Sequence, residues 1–454
     1  MRIAELASRS VAIWGLGREG RAAHSVLRKR FPDKQLTIFC RETEAQATSV
    51  DCPFDRFISS EPSAGELAGF DVVIKSPGIS AYRPELIEAQ REGTRFTSTT
   101  ALWFSENPDA RVIAVTGTKG KSTTSALIAH LLRSLGRRTA LAGNIGMPLL
   151  ELLDPVDEPD WWVIELSSFQ TREADQLDLA VVTNIEEEHL DWHGSRERYV
   201  EDKLALAAVA RRLLVNAAQA ELLERTTAHG RRLSYGLADG WHVDGESIRR
   251  GERIVLDRSR LPLPGWHNAL NAAAALAALE AIGEDAITAA EHLASFRPLP
   301  HRLQTLGVRD ALNWIDDSIA TTPRAVIEAL RSHGGGDICL IIGGHDRGLD
   351  WQAFVAHVRA HPPRAIISNG ASGHRIEALL RANQGDYQLQ RVETLSEAVA
   401  VARELTAPGG TILLSPGAPS FDQFRDYAER GRRFAELAGF DADMIGQIEG
   451  LGIA

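Results

Sequence analysis

The sequence of 454 residues has little cysteine, no long apolar run and no excess of positive charge. Its three cysteines, Cys40, Cys52 and Cys339, form no CxxC pair and no metal-ligand spacing, which favours buried, reduced thiols over a disulfide framework. No window approaches about 18 consecutive apolar residues, so we expect no membrane insertion. The N-terminal segment does not resemble a signal peptide, and we expect a cytoplasmic protein. A formal net charge of -11 argues against a nucleic-acid partner.

What the chain contains instead is an alternation of short apolar runs and longer amphipathic stretches. The runs are rich in Val and Ile and are bounded by Gly, Pro or Asp, which is typical of buried strands. Strands that alternate with helices favour the α/β class with parallel sheets. The predicted strands are residues 11–14, 36–39, 71–74, 111–115, 161–166, 180–184, 337–342, 364–368 and 411–414, and the predicted helices include residues 122–135, 268–281 and 323–332.

The length predicts more than one domain, because a single hydrophobic core stops growing at about 250–300 residues. Two proline-containing segments, 105–109 and 296–300, are candidate linkers, since proline disfavours continuation of helix and strand. We therefore predict three α/β domains, residues 1–108, 109–298 and 299–454.

The strongest single motif is the loop of residues 115–123, which reads VTGTKGKST between a predicted strand and a predicted helix. Glycines allow backbone amides to converge on phosphate oxygens, and the helix N-terminus adds partial positive charge. Lys121 can reach the β- and γ-phosphates and the Ser122 hydroxyl can ligate Mg²⁺. Val115 stands where the full GxxxxGK[ST] pattern has its first glycine, and the alternative is an ordinary tight turn. The predicted nucleotide-binding residues are Gly117, Thr118, Lys119, Gly120, Lys121, Ser122 and Thr123.

Two further side chains follow neighbouring strands and suit a metal beside this loop. Glu165 ends the predicted strand at 161–166, and a carboxylate at the carboxyl end of a strand beside a phosphate loop is well placed to hold Mg²⁺. His189 follows the next strand and the acidic triplet 186–188. Taken alone, His189 is more often structural and such a triplet is usually a solvated helix start.

At this point the residues resemble a known family. The loop TGTKGKST is similar to the TGTxGK[ST] signature of the Mur ligases, which build the peptidoglycan stem peptide. The other family markers occur in order along nearly the whole chain, and the combination is highly specific although no single element is. They are GNIG at 143–146, ELSSFQ at 165–170, the segment 184–191, Lys203, HNALN at 267–271, LPHR at 299–302, DDS at 316–318 and LSP at 414–416.

The resemblance implies a Rossmann-like N-terminal domain, a central ATPase-type parallel sheet and a Rossmann-like C-terminal domain. The chain is most similar to the glutamate-adding branch, which acts on UDP-N-acetylmuramoyl-L-alanine. The implied reaction uses ATP to phosphorylate the L-alanine carboxylate, and the glutamate amine then attacks the acyl phosphate. We expect a monomer that uses ATP and two Mg²⁺ ions.

The resemblance also implies a role for individual residues. Lys121, Glu165, His189 and Lys203 are the expected catalytic residues; Ser122 and Glu165 would hold one metal ion, and His189 with a carbamylated Lys203 would serve a second. The alternative interpretation of Lys203 is a solvent-exposed lysine on a helix, without a catalytic role. Asn268, Asn271, Arg302 and Asp317 would bind ATP, Asn144 and Ser167 would position the UDP substrate, and Thr321, Arg347, Ser415 and Phe421 would bind glutamate.

The N-terminal glycines have two interpretations. Residues 15–20 read GLGREG after a strand, which fits the GxGxxG dinucleotide fingerprint. No acidic residue clearly ends the second strand, where Arg41 follows Cys40, and this favours a phosphorylated ligand over NAD. We interpret the segment as the cradle for the UDP diphosphate, and the residues predicted for this site are Gly15, Leu16, Gly17, Arg18, Ser76 and Gly78.

The chain departs from the usual D-glutamate-adding pattern in its C-terminal part. A lysine of the DSKAT motif is replaced by Ile319, a second lysine by Arg347, and SPACAS becomes SPGAPS from Ser415. Arginine holds a carboxylate in a fixed bidentate geometry that lysine does not impose. Because these changes surround one small ligand, we expect L-glutamate rather than D-glutamate. Lys119, where an asparagine is usual, has no assigned role.

Two rivals remain open. A folylpolyglutamate-synthetase-like amide ligase would share the phosphate loop but would not need a UDP-binding N-terminal domain. A nucleotide-regulated binding protein would not need Lys121, Glu165, His189 and Lys203 together.

Overall fold

The computed structural model describes residues 1–42, 44–45, 54–186, 188–333, 336–448 and 450–454. The chain divides into two compact units: the first comprises Met1–Leu261, Trp266–Phe296 and Gly450–Ala454, and the second Pro262–Gly265 and Arg297–Glu449. None of the helices in the described ranges has the length and apolar character needed to cross a membrane. Cys339 is a buried free thiol and Cys40 a partly exposed one, while Cys52 lies outside the described residues.

The first unit begins with a five-stranded parallel sheet in the order β3-β2-β1-β4-β5. The strand order reverses at β1, so the loops after β1 and β4 lie side by side, and such a switch point opens a ligand crevice. The backbone shows this directly, because Ser76 N donates to Trp14 O at 2.8 Å. The elements are β1 (Val11–Trp14), α1 (Arg18–Arg30), β2 (Leu36–Phe39), β3 (Asp55–Ile58), α2 (Ala64–Ala68), β4 (Val72–Lys75), α3 (Pro84–Arg91), β5 (Arg95–Thr97) and α4 (Thr99–Glu106).

A seven-stranded sheet follows in the same unit, in the order β11-β10-β9-β6-β8-β7-β21. Its strands are parallel except β21, which pairs antiparallel with β7. The central strand β6 lies between β8 and β9, so the order reverses there and the loop after β6 lies at a second switch point. The strands are β6 (Val112–Thr116), β7 (Thr139–Gly143), β8 (Trp161–Glu165), β9 (Leu179–Val182), β10 (Leu213–Asn216), β11 (Arg232–Tyr235) and β21 (Gly452–Ile453).

Helices cover this sheet, and strands β6 to β10 are buried on both faces, whereas the edge strand β11 is partly exposed. α5 packs against α9, whose residues 272–275 have no exposed surface, which is the packed helix face that their small side chains predict. A three-stranded antiparallel sheet lies beside α9. The elements are α5 (Lys121–Ser134), α6 (Leu190–His193), α7 (Arg196–Leu204), α8 (Ala220–Arg225), β12 (Trp241–Asp244), β13 (Ser247–Arg250), β14 (Arg253–Asp257), α9 (Trp266–Ile282) and α10 (Ala286–Ala290).

The second unit contains a six-stranded sheet in the order β15-β16-β20-β17-β18-β19, parallel except for β15. The predicted α/β class with mainly parallel sheets is confirmed, while the boundaries of the three domains stay a prediction. The elements are β15 (Gln304–Arg309), β16 (Leu312–Asp316), α11 (Pro323–Ser332), β17 (Gly336–Gly343), α12 (Gln352–Ala360), β18 (Pro363–Asn369), α13 (Gly373–Ala382), β19 (Gln388–Arg391), α14 (Leu395–Leu405), β20 (Thr411–Leu414), α15 (Tyr427–Ala438) and α16 (Ala442–Ile445).

Candidate active site

The phosphate loop, residues 116–120, connects β6 to α5 and its backbone demands glycine. Gly117 has φ +149° and Gly120 has φ +80°, values that side chains disfavour. A Cβ at Gly117 would lie 1.9 Å from Thr183 Oγ1, and one at Gly120 would lie 2.5 Å from Asn271 Oδ1. The strand end after β9 and helix α9 therefore approach the loop directly and fix its course.

The segment after β9 holds the phosphate loop by hydrogen bonds. Lys119 N donates to Asn184 Oδ1 at 2.8 Å, and Asn184 Nδ2 donates back to Lys119 O at 2.9 Å. Glu186 N donates to Thr118 Oγ1 at 2.8 Å, and the hydroxyl groups of Thr118 and Tyr199 lie 2.6 Å apart. The cradle is therefore formed by the protein alone.

The two lysines of the loop have different surroundings. Lys121 begins α5, and its Nζ lies 3.0 Å from Thr118 O, folded towards the loop. Lys119 is exposed and its Nζ lies 2.7 Å from Glu188 Oε1. Burial acts to raise the pKa of Glu188, but the charge and hydrogen bond of Lys119, together with the charges of His189 and Lys121, lower that pKa overall. The structure thus gives Lys119 an ionic partner that the sequence did not reveal.

Glu165, at the end of β8, is a buried carboxylate with half of its acceptor capacity unused. Its side chain is buried and its Oε1 accepts a hydrogen bond from Asn144 Nδ2 at 2.9 Å. Its Oε2 is buried and has no hydrogen-bond partner among the described residues. Buried polar atoms are normally satisfied, so an orphaned carboxylate oxygen fits a bound cation.

Lys203 and His189 lie within the electrostatic reach of the same loop. Lys203 is only 2 % exposed, which excludes the solvated helix lysine considered from the sequence. Burial, and then the charge of Lys121, lowers the pKa of Lys203 well below its ordinary value. Burial also lowers the pKa of His189, which precedes α6 with φ +57° and whose side chain is half exposed. Burial therefore acts against the charged form of both side chains.

In the part of the chain that the structure describes, few protein side chains are available as metal ligands around Glu165. Within the described ranges, no three His, Cys, Asp or Glu side chains are grouped closely enough to hold one ion. A cation at Glu165 would therefore take its remaining oxygens from hydroxyl, phosphate or water, which is the set that Mg²⁺ ordinarily accepts.

The N-terminal residues predicted for the UDP substrate lie at the first switch point, whereas Asn144 and Ser167 follow β7 and β8 of the seven-stranded sheet. Ser76 Oγ donates to Gly15 O at 2.9 Å, and a Cβ at Gly15 would lie 2.7 Å from that hydroxyl oxygen. Leu16 is fully buried, so only its backbone can face a ligand. Arg18 Nη1 donates to Gly146 O at 3.1 Å, which ties α1 to the GNIG segment. The remaining members are Gly17 at the N-cap of α1, exposed Gly78 and Asn144, and Ser167, whose Oγ donates to Gln170.

The ATP candidates are divided between the two units. Asn268 and Asn271 lie in α9 of the first unit, where Asn271 Nδ2 donates to Asn268 Oδ1 at 3.3 Å. Asp317 and Arg302 lie in the second unit. Burial raises the pKa of Asp317 to about 7, although the Ser415 hydroxyl, 2.7 Å from its Oδ2, acts in the opposite direction.

The glutamate candidates in the second unit differ in exposure. Ser415 is fully buried and bound to Asp317, while Arg347 is exposed and Phe421 is 68 % exposed. Thr321 is partly buried. Arg375 fastens the part of the loop, residues 343–350, that carries Arg347. Arg375 donates to both carboxylate oxygens of Asp346, at 2.9 and 2.6 Å, and to Leu349 O at 2.9 Å.

Sequence reasoning missed several buried polar residues near these sites. Arg430 is 3 % exposed and donates to Ser318 Oγ, Ser318 O and Ala418 O. It stands in α15, whose sequence resembles any amphipathic helix, so no pattern marks it. Asp202 precedes Lys203 in α7 and carries a buried network described below, again without a motif of its own.

Comparison with known proteins agrees with the resemblance. The family model for the Mur ligase middle domain matches residues 115–279, and the model for the Mur ligase glutamate ligase domain matches residues 301–417. A protein of Xanthomonas campestris pv. campestris strain 8004, named UDP-N-acetylmuramoyl-L-alanine--L-glutamate ligase, is 49% identical over the whole of both chains. A Micromonospora protein of the same name is 37% identical, over 96% of this chain and 98% of its own.

Solved structures show the same fold at low identity. UDP-N-acetylmuramate-alanine ligase MurC from Thermotoga maritima matches with a TM-score of 0.62 and 22% identity, over 94% of this chain and 98% of its own. MurF ligase from the same organism, in complex with ADP, gives 0.56 and 18% over 82% and 94%. The chain belongs to the Mur ligase family and is an ATP-dependent amide ligase of peptidoglycan synthesis.

Proposed function

We propose that this ligase adds L-glutamate to UDP-N-acetylmuramoyl-L-alanine. The observation that carries the proposal is the full-length identity of 49% to a protein with that name. The same name recurs for the Micromonospora relative at 37%, so the likeness is not confined to near neighbours. The replacement of a family lysine by Ile319 points the same way, because the cation expected for D-glutamate is absent from that position.

The proposed chemistry proceeds through an acyl phosphate. A carboxylate oxygen of the L-alanine residue attacks the γ-phosphorus of ATP, and the bond from that phosphorus to ADP breaks. The glutamate nitrogen then attacks the activated carbonyl carbon, loses a proton, and the bond to phosphate breaks. The products are an amide, ADP and phosphate, so each ATP makes one peptide bond.

Neutralising charge is the main task of the phosphate loop in this scheme. ATP and two carboxylate-bearing substrates bring several anions together, and preorganised cations and dipoles reduce that cost in the transition state. Lys121 and the N-terminus of α5 would face the β- and γ-phosphates. In the same proposal Asn268, Asn271, Arg302 and Asp317 bind ATP, and residues 1–108, 109–298 and 299–454 act as UDP-substrate, ATP and glutamate domains.

The proposed metal sites use the residues that fit a hard cation. Mg²⁺ would screen the phosphate charges while held by Glu165 Oε2 and the Ser122 hydroxyl. His189 and Lys203 would serve a second ion. The burial of Lys203 supports its carbamylation, because a neutral amine is the form that adds CO₂, and the charge of Lys121 would favour the resulting anion.

The proposed amino-acid site lies in the second unit. Arg347 would bind a glutamate carboxylate through its planar fork, and Thr321, Ser415 and Phe421 would complete the pocket. Arg375 supports this assignment, because its hydrogen bonds to Asp346 and Leu349 brace the loop on both sides of Arg347. The reaction consumes ATP and a UDP nucleotide, both of which the cytoplasm supplies, and we propose that a monomer carries it out there.

The deciding experiment supplies purified enzyme with ATP, Mg²⁺, UDP-N-acetylmuramoyl-L-alanine and one glutamate enantiomer at a time. We expect phosphate release and a new UDP product with L-glutamate, at least about tenfold faster than with D-glutamate. A faster reaction with D-glutamate would contradict the proposed specificity for L-glutamate but not the ligase activity. If the enzyme adds neither glutamate enantiomer to UDP-N-acetylmuramoyl-L-alanine but does turn over a folate substrate, the folylpolyglutamate-synthetase-like alternative is favoured.

A further inference from the structure

The loop after β4, residues 76–82, is fastened to helix α6 within the first unit. Trp192 Nε1 donates to Pro77 O at 3.0 Å, and Ser80 Oγ donates to Trp192 O at 2.6 Å. The Trp192 ring stacks on Phe169 with centroids 4.6 Å apart. This loop carries Ser76 and Gly78, which the proposed function assigns to the UDP substrate.

A second and more buried fastening lies one helix further along. The Asp202 carboxylate, 1 % exposed, accepts from the Tyr82 hydroxyl at 2.8 and 2.9 Å to its two oxygens. It also accepts from His193 Nδ1 at 2.6 Å and from Arg172 Nε. We call these four residues, Tyr82, Arg172, His193 and Asp202, the Asp202 hub.

The hydrogen positions in the hub follow from its chemistry. An ionised carboxylate only accepts, so the proton between His193 and Asp202 lies on Nδ1. Burial lowers the pKa of His193, and in the neutral ring Nε2 then accepts from the Ser168 hydroxyl at 3.0 Å. Fully satisfied buried networks make their surroundings rigid. The hub is therefore a defined joint rather than a loose cluster.

Each member of the hub lies in the segment that carries a candidate site residue. Tyr82 ends the loop of Ser76 and Gly78, and Arg172 follows Ser167 by five positions. His193 ends the helix that begins after His189, and Asp202 directly precedes Lys203. Removing one partner of a buried ion pair leaves the other charge uncompensated, so a change at Asp202 affects every member of the hub.

We propose that Asp202 is a positioning residue of the ligase, which through Tyr82 holds the loop of residues 76–82 in register with Lys203. Ser76 and Gly78 are thereby held at a set distance from the centre where the acyl phosphate forms. That Ser76 and Gly78 bind the UDP substrate rests on the proposed function. The connection between Asp202 and the loop of residues 76–82 does not depend on it.

Tyr82→Phe tests the joint with the smallest change, since the ring keeps its edge contact with Trp192 and only the hydroxyl is lost. We expect the KM for the UDP substrate to rise about fivefold, with the KM for ATP within twofold of wild type. Asp202→Asn should raise the KM for the UDP substrate about tenfold or more. The double variant should have the same KM as Asp202→Asn alone, because both changes break the same contact. Tyr387→Phe is the matched control, because among the residues that the structure describes the Tyr387 hydroxyl has no hydrogen-bond partner.

Hydrogen exchange without substrate separates the joint from the assigned function. Tyr82→Phe should speed amide exchange in residues 76–83 and leave the phosphate loop unchanged. Unchanged exchange in residues 76–83, or an equal rise of both KM values, would overturn the inference. If wild-type enzyme makes no product with either glutamate while Tyr82→Phe still speeds the exchange, the proposed function fails and the joint stands.

Discussion

The phosphate loop of the first unit and the loops proposed to bind glutamate in the second unit differ in how deeply their side chains are buried. Around the phosphate loop, Gly117 and Gly120 allow neighbouring atoms to touch the backbone, and Glu165 and Lys203 are almost fully buried. In the second unit, by contrast, the predicted glutamate ligands include exposed side chains, with Phe421 at 68 % exposure.

This difference in burial suits two tasks: the phosphate-binding residues carry out the same phosphoryl transfer in every case, whereas the proposed glutamate ligands decide which amino acid is added. Phosphoryl transfer needs charges and dipoles in place before ATP arrives, so its residues tolerate little change. Exposed side chains on a loop are replaced at small cost, usually within about 0.5 kcal/mol of folding stability. One family can therefore keep its phosphate loop and exchange the amino acid that it adds.

Lys121→Ala gives the largest expected effect, because the proposed function places this cation against the phosphate that is transferred. We expect the rate of phosphate release to fall about 1,000-fold, equivalent to about 4 kcal/mol of transition-state stabilisation. Binding of the UDP substrate, measured by calorimetry, should persist.

Lys119→Ala is the control, since this lysine is exposed and paired with Glu188. The rate of phosphate release should fall only a few-fold in this variant. Equal losses in the two variants would remove the distinction between the lysines.

Glu165→Gln comes next, because it keeps the size of the side chain but removes the charge at the orphaned oxygen. We expect kcat to fall about 100-fold and the Mg²⁺ concentration for half-maximal rate to rise. Glu201→Gln, on the exposed face of α7, should change neither quantity. An unaltered Mg²⁺ dependence would show that Glu165 holds no metal.

Arg347→Met tests the other side of the comparison. We expect the KM for glutamate to rise about tenfold, or about 1.4 kcal/mol, with the KM for ATP unchanged, because one carboxylate contact is lost from an exposed loop. Arg347→Lys should recover part of the loss. A parallel rise for ATP would place Arg347 outside the amino-acid site, and Arg381→Met is an exposed control in the same unit.

Asp317→Asn gives the smallest effect and concerns pH. Burial raises the pKa of Asp317 to about 7 from 3.8. The folded protein then retains a proton that the unfolded chain releases, so the free energy of unfolding declines as pH rises from about 4 to about 7 and this penalty is complete above that range. The asparagine variant should lose less stability between pH 5 and pH 8.

The measurement is the shift of Tm between those two pH values, at about 2–4 °C per kcal/mol for a unit of this size. Asp310→Asn, an exposed carboxylate of the same unit, should leave the shift unchanged. A shift that is equally steep in the Asp317 variant would contradict the raised pKa.

Sequence alone located the buried parallel strands well, and for a physical reason. The strands at 11–14, 36–39 and 411–414 and the helix at 323–332 have the predicted ends, because apolar runs buried on both faces are bounded by turn residues. The family signature also placed Glu165 and Lys203 as candidates, but their burial and the orphaned oxygen required coordinates.

Long-range polar contacts were beyond prediction. The pair of Lys119 with Glu188 and the Asp202 hub join residues up to 120 positions apart, and no local periodicity encodes such a contact. The two-residue strand β21 was also missed, since two residues carry no alternation to detect.

That short strand gives the protein an order of assembly. Residues 452 and 453 pair with β7 at the edge of the seven-stranded sheet, and Arg133 donates to Gly452 O at 3.0 Å. Nearly all of the second unit is thus inserted, in chain order, between two parts of the first. A ribosome must release the whole second unit before the nucleotide-binding sheet can gain its last strand, so β7 remains an unpaired sheet edge during synthesis.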